Sequence, residues 1–306
     1  MNKRNLLRAA ALVLSAALAV LAVVPLQRIR DSRADWMAAL DDSAPLNALS
    51  IPGTHDSGAL HSIADVSGKC QTLPVADQLQ IGVRFLDIRL QLVDDELRIV
   101  HSFVDQKTEF ADTLTDMVTF LREHPTEFLL VSFKEDADPK RSEGNFTETL
   151  ENMLRAYPDV ISTSNTLPAT VGEARGKLHV IARYADATLG LPCHRGWTDD
   201  ESFTLNGLYI QDNYQVGSTG EKFFDIVTAY EAAAGAEYTL VLNYTSCYLK
   251  NGFPPLYAGT PAHDIHFWMR ESISLISGLS NDPLGVLVCD FMTSDLANLI
   301  IGRNFQ

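Results

Sequence analysis

Eight short apolar runs, each carrying a polar side chain at or near its end, constrain the fold more than any other feature of this chain. They are NALSIPGTH, VRFLDIRL, LRIVHSF, EFLLVSFKED, KLHVIARY, NGLYIQDNY, YTLVLNYTS and GVLVCDF. All are short and rich in β-branched and aromatic residues, as buried strands are. Helical patterns separate several of them. FADTLTDMVTFLREHP places Phe110, Leu114, Met117, Val118 and Leu121 at helical spacing and stops at Pro125. TETLENMLRAYP, GEKFFDIVTAYEAAAGA and HDIHFWMRESISLISGL read the same way, and DSRADWMAALDD reads as a short helix leading in. This alternation predicts an α/β fold, an irregular (β/α)8 TIM-type barrel with parallel strands.

A barrel also predicts where its chemistry lies, because active sites gather at the carboxyl ends of the strands. The polar residues that close the runs are His55, Arg89, His101, Lys134, Arg183, Asp212, Asn243 and Asp290. One link breaks the alternation. Only QLVDDEL joins LDIRL to RIVHS, whereas a parallel crossover needs about a dozen residues or more. A hairpin around Asp94 and Asp95 is therefore expected. The loop-rich stretch 184–206, with Gly190, Pro192, Gly196 and Trp197, reads as a lid or rim over the barrel mouth.

The chain of 306 residues is 46% hydrophobic, enough for a large core, and its net charge is -15. That charge argues against nucleic acid as a partner, since such binding is driven by basic surface. An anionic ligand must be held by a few local cations. Residues 1–34 stand apart: Lys3, Arg4 and Arg8 precede the uncharged AAALVLSAALAVLAVVPL at 9–26. This pattern reads as a signal peptide or an N-terminal membrane anchor, close to the ~20 residues that span a bilayer. It predicts export, with the protein secreted or tethered to the outer face of the membrane, and leaves 35–306 as the catalytic domain. The four cysteines, Cys70, Cys193, Cys247 and Cys289, have no CxxC spacing, which argues against zinc. In an exported protein three disulfide connectivities are open. Cys289, inside an apolar run, reads as a buried thiol.

The candidate constellation is His55, Asp56, Arg89, His101 and Asp290. Two histidines at strand ends suit a general base and a general acid, because imidazole titrates near ~6.5. A carboxylate such as Asp290 can orient one imidazole, as the third member of a triad does. A guanidinium can grip two phosphate oxygens and stabilise charge as it develops. A calcium or magnesium site would need several carboxylates at the rim. Arg89 in their midst repels a cation and can take its place, so neither metal nor cofactor is expected. His61, His124, His179, His194, His263 and His266 receive no role.

At these residues the chain resembles the bacterial phosphatidylinositol-specific phospholipases C, over roughly residues 45–295. SIPGTHDSGAL resembles the first catalytic block of that family, and GVRFLDIRL with RIVHSF resembles the second. HPTEFLLVSFKED, GKLHVIARY, YIQDNY and the late strand ending in Asp290 follow the family order. The resemblance implies cleavage of phosphatidylinositol, or of a glycosyl-phosphatidylinositol anchor, by attack of the inositol 2-hydroxyl on its own phosphate. The products are a cyclic inositol phosphate and diacylglycerol. His55 is implied as the general base, oriented by Asp290. His101 is implied as the general acid, assisted by Asp56, with Arg89 stabilising the phosphate. Lys134, Asp136, Arg183, Asp212 and Tyr214 fall where the family holds the inositol ring.

Departures from the pattern are Leu90 after Arg89 and Ser102 after His101, where the family often has Gly, and the acidic pattern after Lys134. They bear on head-group specificity and leave the catalytic set intact. Trp197 and Tyr214 are placed to stack on an inositol, and FPPLYAG at 253–259 to touch lipid at the mouth. The expected partner is a lipid at a membrane surface, and the expected state a monomer. Two rival readings fit the same residues: a metal-dependent glycerophosphodiester or sphingolipid phosphodiesterase on a similar barrel, and a non-catalytic binder of inositol or glycan.

Overall fold

Buried strands that end in polar side chains form a curled parallel sheet, seen in a computed structural model that describes residues 33–61, 68–102, 104–250, 259–277 and 280–306. The readings for residues 1–32 and for 253–258 lie outside the described residues. Among the described residues no helix is long and apolar enough to cross a membrane.

β1 (Ser50–Thr54) and α1 (Val75–Gln80) lead to β2 (Phe85–Val93). β3 (Glu96–His101) and β4 (Val104–Glu109) fold back from it, and α2 (Phe110–Glu123) carries the chain to β5 (Leu129–Glu135). α3 (Phe146–Arg155) and α4 (Val171–Ala174) precede β6 (Leu178–Arg183). β7 (Leu191–Pro192), β8 (Ser202–Leu205) and β9 (Leu208–Gln211) follow without a helix. β10 (Gln215–Val216) and α5 (Thr219–Ala234) lead to β11 (Leu240–Tyr244). β12 (Tyr248–Leu249), α6 (Gly259–Ser277), β13 (Gly285–Cys289) and α7 (Ser294–Gly302) follow.

The sheet runs β7-β6-β5-β2-β1-β13-β11-β9-β8. Every pairing from β7 to β9 is parallel, and β8 pairs antiparallel with β9. Among the described residues no ladder joins β7 to β8, so the barrel is open there. Asn206 Nδ2 reaches across that seam and donates to the Pro192 carbonyl at 2.5 Å. At the centre, β1 and β2 approach closely: a Cβ on Gly53 would lie 3.0 Å from Phe85 Cβ. That contact explains the glycine inside this core strand.

The expected hairpin is present. β2 and β3 pair antiparallel, with Val93 opposite Glu96, and Asp94 and Asp95 between them have φ of 52° and 61°. Two successive left-handed residues are what a tight two-residue hairpin requires. β3 runs against the parallel strands, so His101 approaches the rim from the opposite direction to the other strand-end residues. Within the expected lead-in helix, Trp36–Ala39 form a 3-10 turn that packs against the amino end of the barrel. There Trp36 Nε1 donates to the Gly82 carbonyl at 3.0 Å.

The two-residue period of a strand separates core from site. Ile51, Phe85, Leu130, Ile181, Ile210, Leu242, Val286 and Val288 fill the barrel interior. Their neighbours Leu86, Ile88, Val131, Phe133, Val180 and Leu287 pack outward with the helices. Continuing the inward period toward the carboxyl ends gives His55, Asp87, Arg89, Lys134, Arg183, Asp212, Tyr244 and Asp290. All four cysteines are free and buried.

Candidate active site

The inward residues beyond the core surround a cavity of about 620 Å³ at the carboxyl ends of the strands. Nine of the ten side chains singled out from sequence line it: His55, Arg89, His101, Lys134, Asp136, Arg183, Asp212, Tyr214 and Asp290. The tenth, Asp56, is fully buried beside them. Its φ of 42° lies in the left-handed region, which Asp tolerates better than most residues.

His55 follows directly on β1, and its imidazole is held at both nitrogens. Nδ1 lies 2.8 Å from Asp290 Oδ1, and Nε2 lies 2.8 Å from Arg89 Nη2. A guanidinium has only donors, so Nε2 is the acceptor and Nδ1 carries the proton given to Asp290. Backbone contacts fix the same pair. His55 N donates to the Cys289 carbonyl at 3.0 Å. Gln71 Nε2 donates to the carbonyls of both His55 and Cys289, at 2.8 and 2.9 Å, and Gln71 Oε1 accepts from Met292 N at 3.2 Å. Gln71 therefore ties the residues that flank Asp290 to His55.

Arg89 stands among three carboxylates. It donates from Nη2 and Nε to Asp87 Oδ2 at 3.0 and 3.1 Å, and it lies 3.6 Å from Asp56 and 4.0 Å from Asp136. These carboxylates keep the guanidinium firmly charged despite its burial. Burial alone would raise the pKa of Asp87, but Arg89 and Arg183 outweigh it and hold the carboxyl well below the usual range. For Asp136, burial is outweighed by Arg89 and Lys134, and the pKa falls to about 2. Lys134 Nζ donates to one oxygen of Asp136, and Ser102 N donates to the other at 2.6 Å.

His101 faces Arg89 across the fully buried Asp56, its Nε2 3.6 Å from Asp56 Oδ2. Among the described residues neither oxygen of Asp56 has a hydrogen-bond partner. Burial pushes Asp56 up to about 7 against the pull of Arg89. Burial, and then Arg89, lower the pKa of His101. Burial thus favours the neutral form of both groups.

The stretch 184–206 forms a side wall of the cavity. Through β7 and β8 it joins the sheet edges, and His194, Trp197 and Asp199 face the cavity. The Arg183 guanidinium lies 3.7 Å over the Trp197 ring, and Trp197 Nε1 donates to Asp212 at 3.3 Å. Tyr214 OH donates to Asp199 at 2.8 Å. Trp197 thus stacks on Arg183 within the protein.

Sequence reasoning passed over Asp87, Gln71 and Tyr244. Asp87 was marked only by the LDIR run, yet it accepts from both Arg89 and Arg183. Tyr244 is buried under Arg183, 3.5 Å from Nη1, and the inward period of β11 points to it. Gln71 carries no sequence signal, because its role lies in contacts to backbone far along the chain.

The family described as phosphatidylinositol-specific phospholipase C, X domain, matches residues 43–184. The 1-phosphatidylinositol phosphodiesterase of Listeria monocytogenes is 28% identical over 283 residues, spanning 88% of this chain and 84% of that protein. Its namesake from Staphylococcus aureus (strain Newman) is 30% identical over 207 residues, spanning 59% and 64%. Solved structures share the fold. The phosphatidylinositol-specific phospholipase C of L. monocytogenes gives a TM-score of 0.73 at 24% identity, over 89% of this chain and 98% of that one. A pentafluoro-Phe form of the S. aureus enzyme gives 0.79 at 23% identity, over 90% and 98%.

Proposed function

We propose that this chain, which carries the X domain of phosphatidylinositol-specific phospholipase C at residues 43–184, cleaves phosphatidylinositol or a glycosyl-phosphatidylinositol anchor into a cyclic inositol phosphate and diacylglycerol. The observation that carries the reading is the His55 imidazole, held between Asp290 and Arg89 at 2.8 Å on either side. A phosphate that takes the Arg89 donors frees His55 Nε2 to accept the proton of the neighbouring inositol 2-hydroxyl. The hydroxyl oxygen attacks phosphorus, the bond to the diacylglycerol oxygen breaks, and His101 returns a proton to that oxygen. Asp290 stabilises the imidazolium that forms, and Asp56 supports His101. Intramolecular attack of this kind contributes ~7–11 kcal/mol, so no protein nucleophile is required.

The substrate ring is assigned to Lys134, Asp136, Arg183, Asp212 and Tyr214. What supports this is their position around one cavity with Arg89 and both histidines. A reading centred on a divalent cofactor is not favoured, because Arg89 already supplies the positive charge among Asp56, Asp87 and Asp136. The proposal extends to an exported enzyme at a membrane surface, on the strength of the uncharged segment 9–26.

Diacylglycerol release from phosphatidylinositol vesicles tests the assignment. His55→Ala and His101→Ala should each lower the rate by about 10²–10⁴-fold. Full activity in either variant would overturn the assignment of His55 as base or His101 as acid.

A further inference from the structure

The Cys70 thiol occupies a place in the site that the proposed reaction does not use. It is 2% exposed and free, and it forms part of the cavity wall. Its sulfur belongs to two sets of possible ligands, each with donor atoms within 4.8 Å of one another: His55, Cys70 and Asp290, and Asp56, Cys70 and His101. In the first set His55 and Asp290 already satisfy each other at 2.8 Å. In the second, Asp56 makes only longer contacts, 3.6 Å to His101 Nε2 and 3.6 Å to Arg89. Asp56 is 0% exposed, and among the described residues neither of its oxygens has a hydrogen-bond partner. A fully buried carboxylate without a hydrogen bond is costly, and this one faces a thiol and an imidazole.

We infer that Asp56, Cys70 and His101 form a binding site for a thiophilic divalent cation such as Zn²⁺, and that the cation inhibits the enzyme. Thiolate, imidazole and carboxylate are the donors that zinc takes, in tetrahedral sites that leave room for water. The thiolate selects zinc or cadmium over magnesium and calcium, which need oxygen ligands. Binding displaces the thiol proton and any proton shared by Asp56 and His101 to solvent. The cation therefore consumes the imidazole that returns the proton to the leaving oxygen. Arg89, 3.6 Å from Asp56, stays on the phosphate side and opposes the added charge, which limits the affinity. The inhibition rests on the proposed phospholipase function; the binding does not.

Co²⁺ titration of the purified protein without oxygen reads the site independently of turnover, because a thiolate on cobalt gives a charge-transfer band. The wild type should give this band at one equivalent, and Zn²⁺ should abolish it. Cys70→Ser should remove it although Cys193, Cys247 and Cys289 remain. Asp56→Asn and His101→Gln should weaken binding about 10-fold or more, which keeps the test open if Cys70→Ser does not fold. On phosphatidylinositol vesicles, Zn²⁺ should inhibit the wild type at least tenfold more than Cys70→Ser, each measured against its own metal-free rate, and Mg²⁺ should inhibit neither. No band in excess Co²⁺, or a band that survives Cys70→Ser, overturns the site. A normal band on a protein inert toward phosphatidylinositol would instead overturn the proposed reaction and leave the site standing.

Discussion

Arg89 Nη2 lies 2.8 Å from His55 Nε2, and this contact sets the tautomer of the imidazole. Because the guanidinium can only donate, the ring proton resides on Nδ1, where Asp290 accepts it. Nitrogen-15 NMR of histidine-labelled protein should show the neutral His55 ring with a protonated Nδ1 and a bare Nε2. A proton on Nε2 would contradict the geometry and remove the base from its place.

Arg89 also gathers Asp87, Asp56 and Asp136 around its planar fork. Lysine would keep the charge and lose the fork. Arg89→Lys should lower kcat by about 10²–10³-fold, with a smaller change in KM, in vesicle assays with phosphatidylinositol. A loss confined to KM would place Arg89 in ground-state binding alone.

The buried Asp56 carboxyl, pushed up to about 7 by burial, ties stability to pH. Its folded pKa lies above its unfolded value, so the native state holds the proton more tightly. The stabilisation is fully present below the unfolded pKa and is lost as pH rises through about 7. Asparagine removes this dependence. Thermal melts of Asp56→Asn and wild type should therefore shift in favour of the variant between pH 5 and pH 8. A difference that does not change with pH would mean that Asp56 is not perturbed in this way.

Arg84 and Arg89 sit five residues apart on one stretch of chain and do opposite work. At the amino end of the barrel Arg84 pairs with Glu127 at 2.8 Å, with both side chains 0% exposed, and it donates to the Ala34 carbonyl at 2.6 Å. Removing one partner of such a pair strands a buried charge at a cost of about 3–5 kcal/mol. Arg84→Met should lose that much in urea unfolding while KM for phosphatidylinositol stays near the wild-type value. A stable variant with altered KM would invert the assignment.

The two arginines also show what the sequence made legible. The strand period and the helical stretches were readable, and so was the short link that became the hairpin at Asp94 and Asp95. With them came the rim positions of His55, Arg89, His101 and Asp290. The hidden part consists of contacts between distant segments. Gln71 bonds carbonyls at His55 and Cys289, and Asp87 serves two arginines from different strands. Nor does any local pattern announce that 184–206 joins the sheet edges as a wall. Periodicity tells which way a side chain points, but pairing across the barrel is decided only when the strands assemble.

If Arg89 supplies the positive charge of the site, the cyclic product must form without a metal. Phosphorus-31 NMR of phosphatidylinositol incubated with the protein in excess EDTA reads this directly. A cyclic phosphodiester signal should appear as the lipid signal declines. No product in EDTA, with product restored by added Ca²⁺ or Mg²⁺, would contradict the role assigned to Arg89.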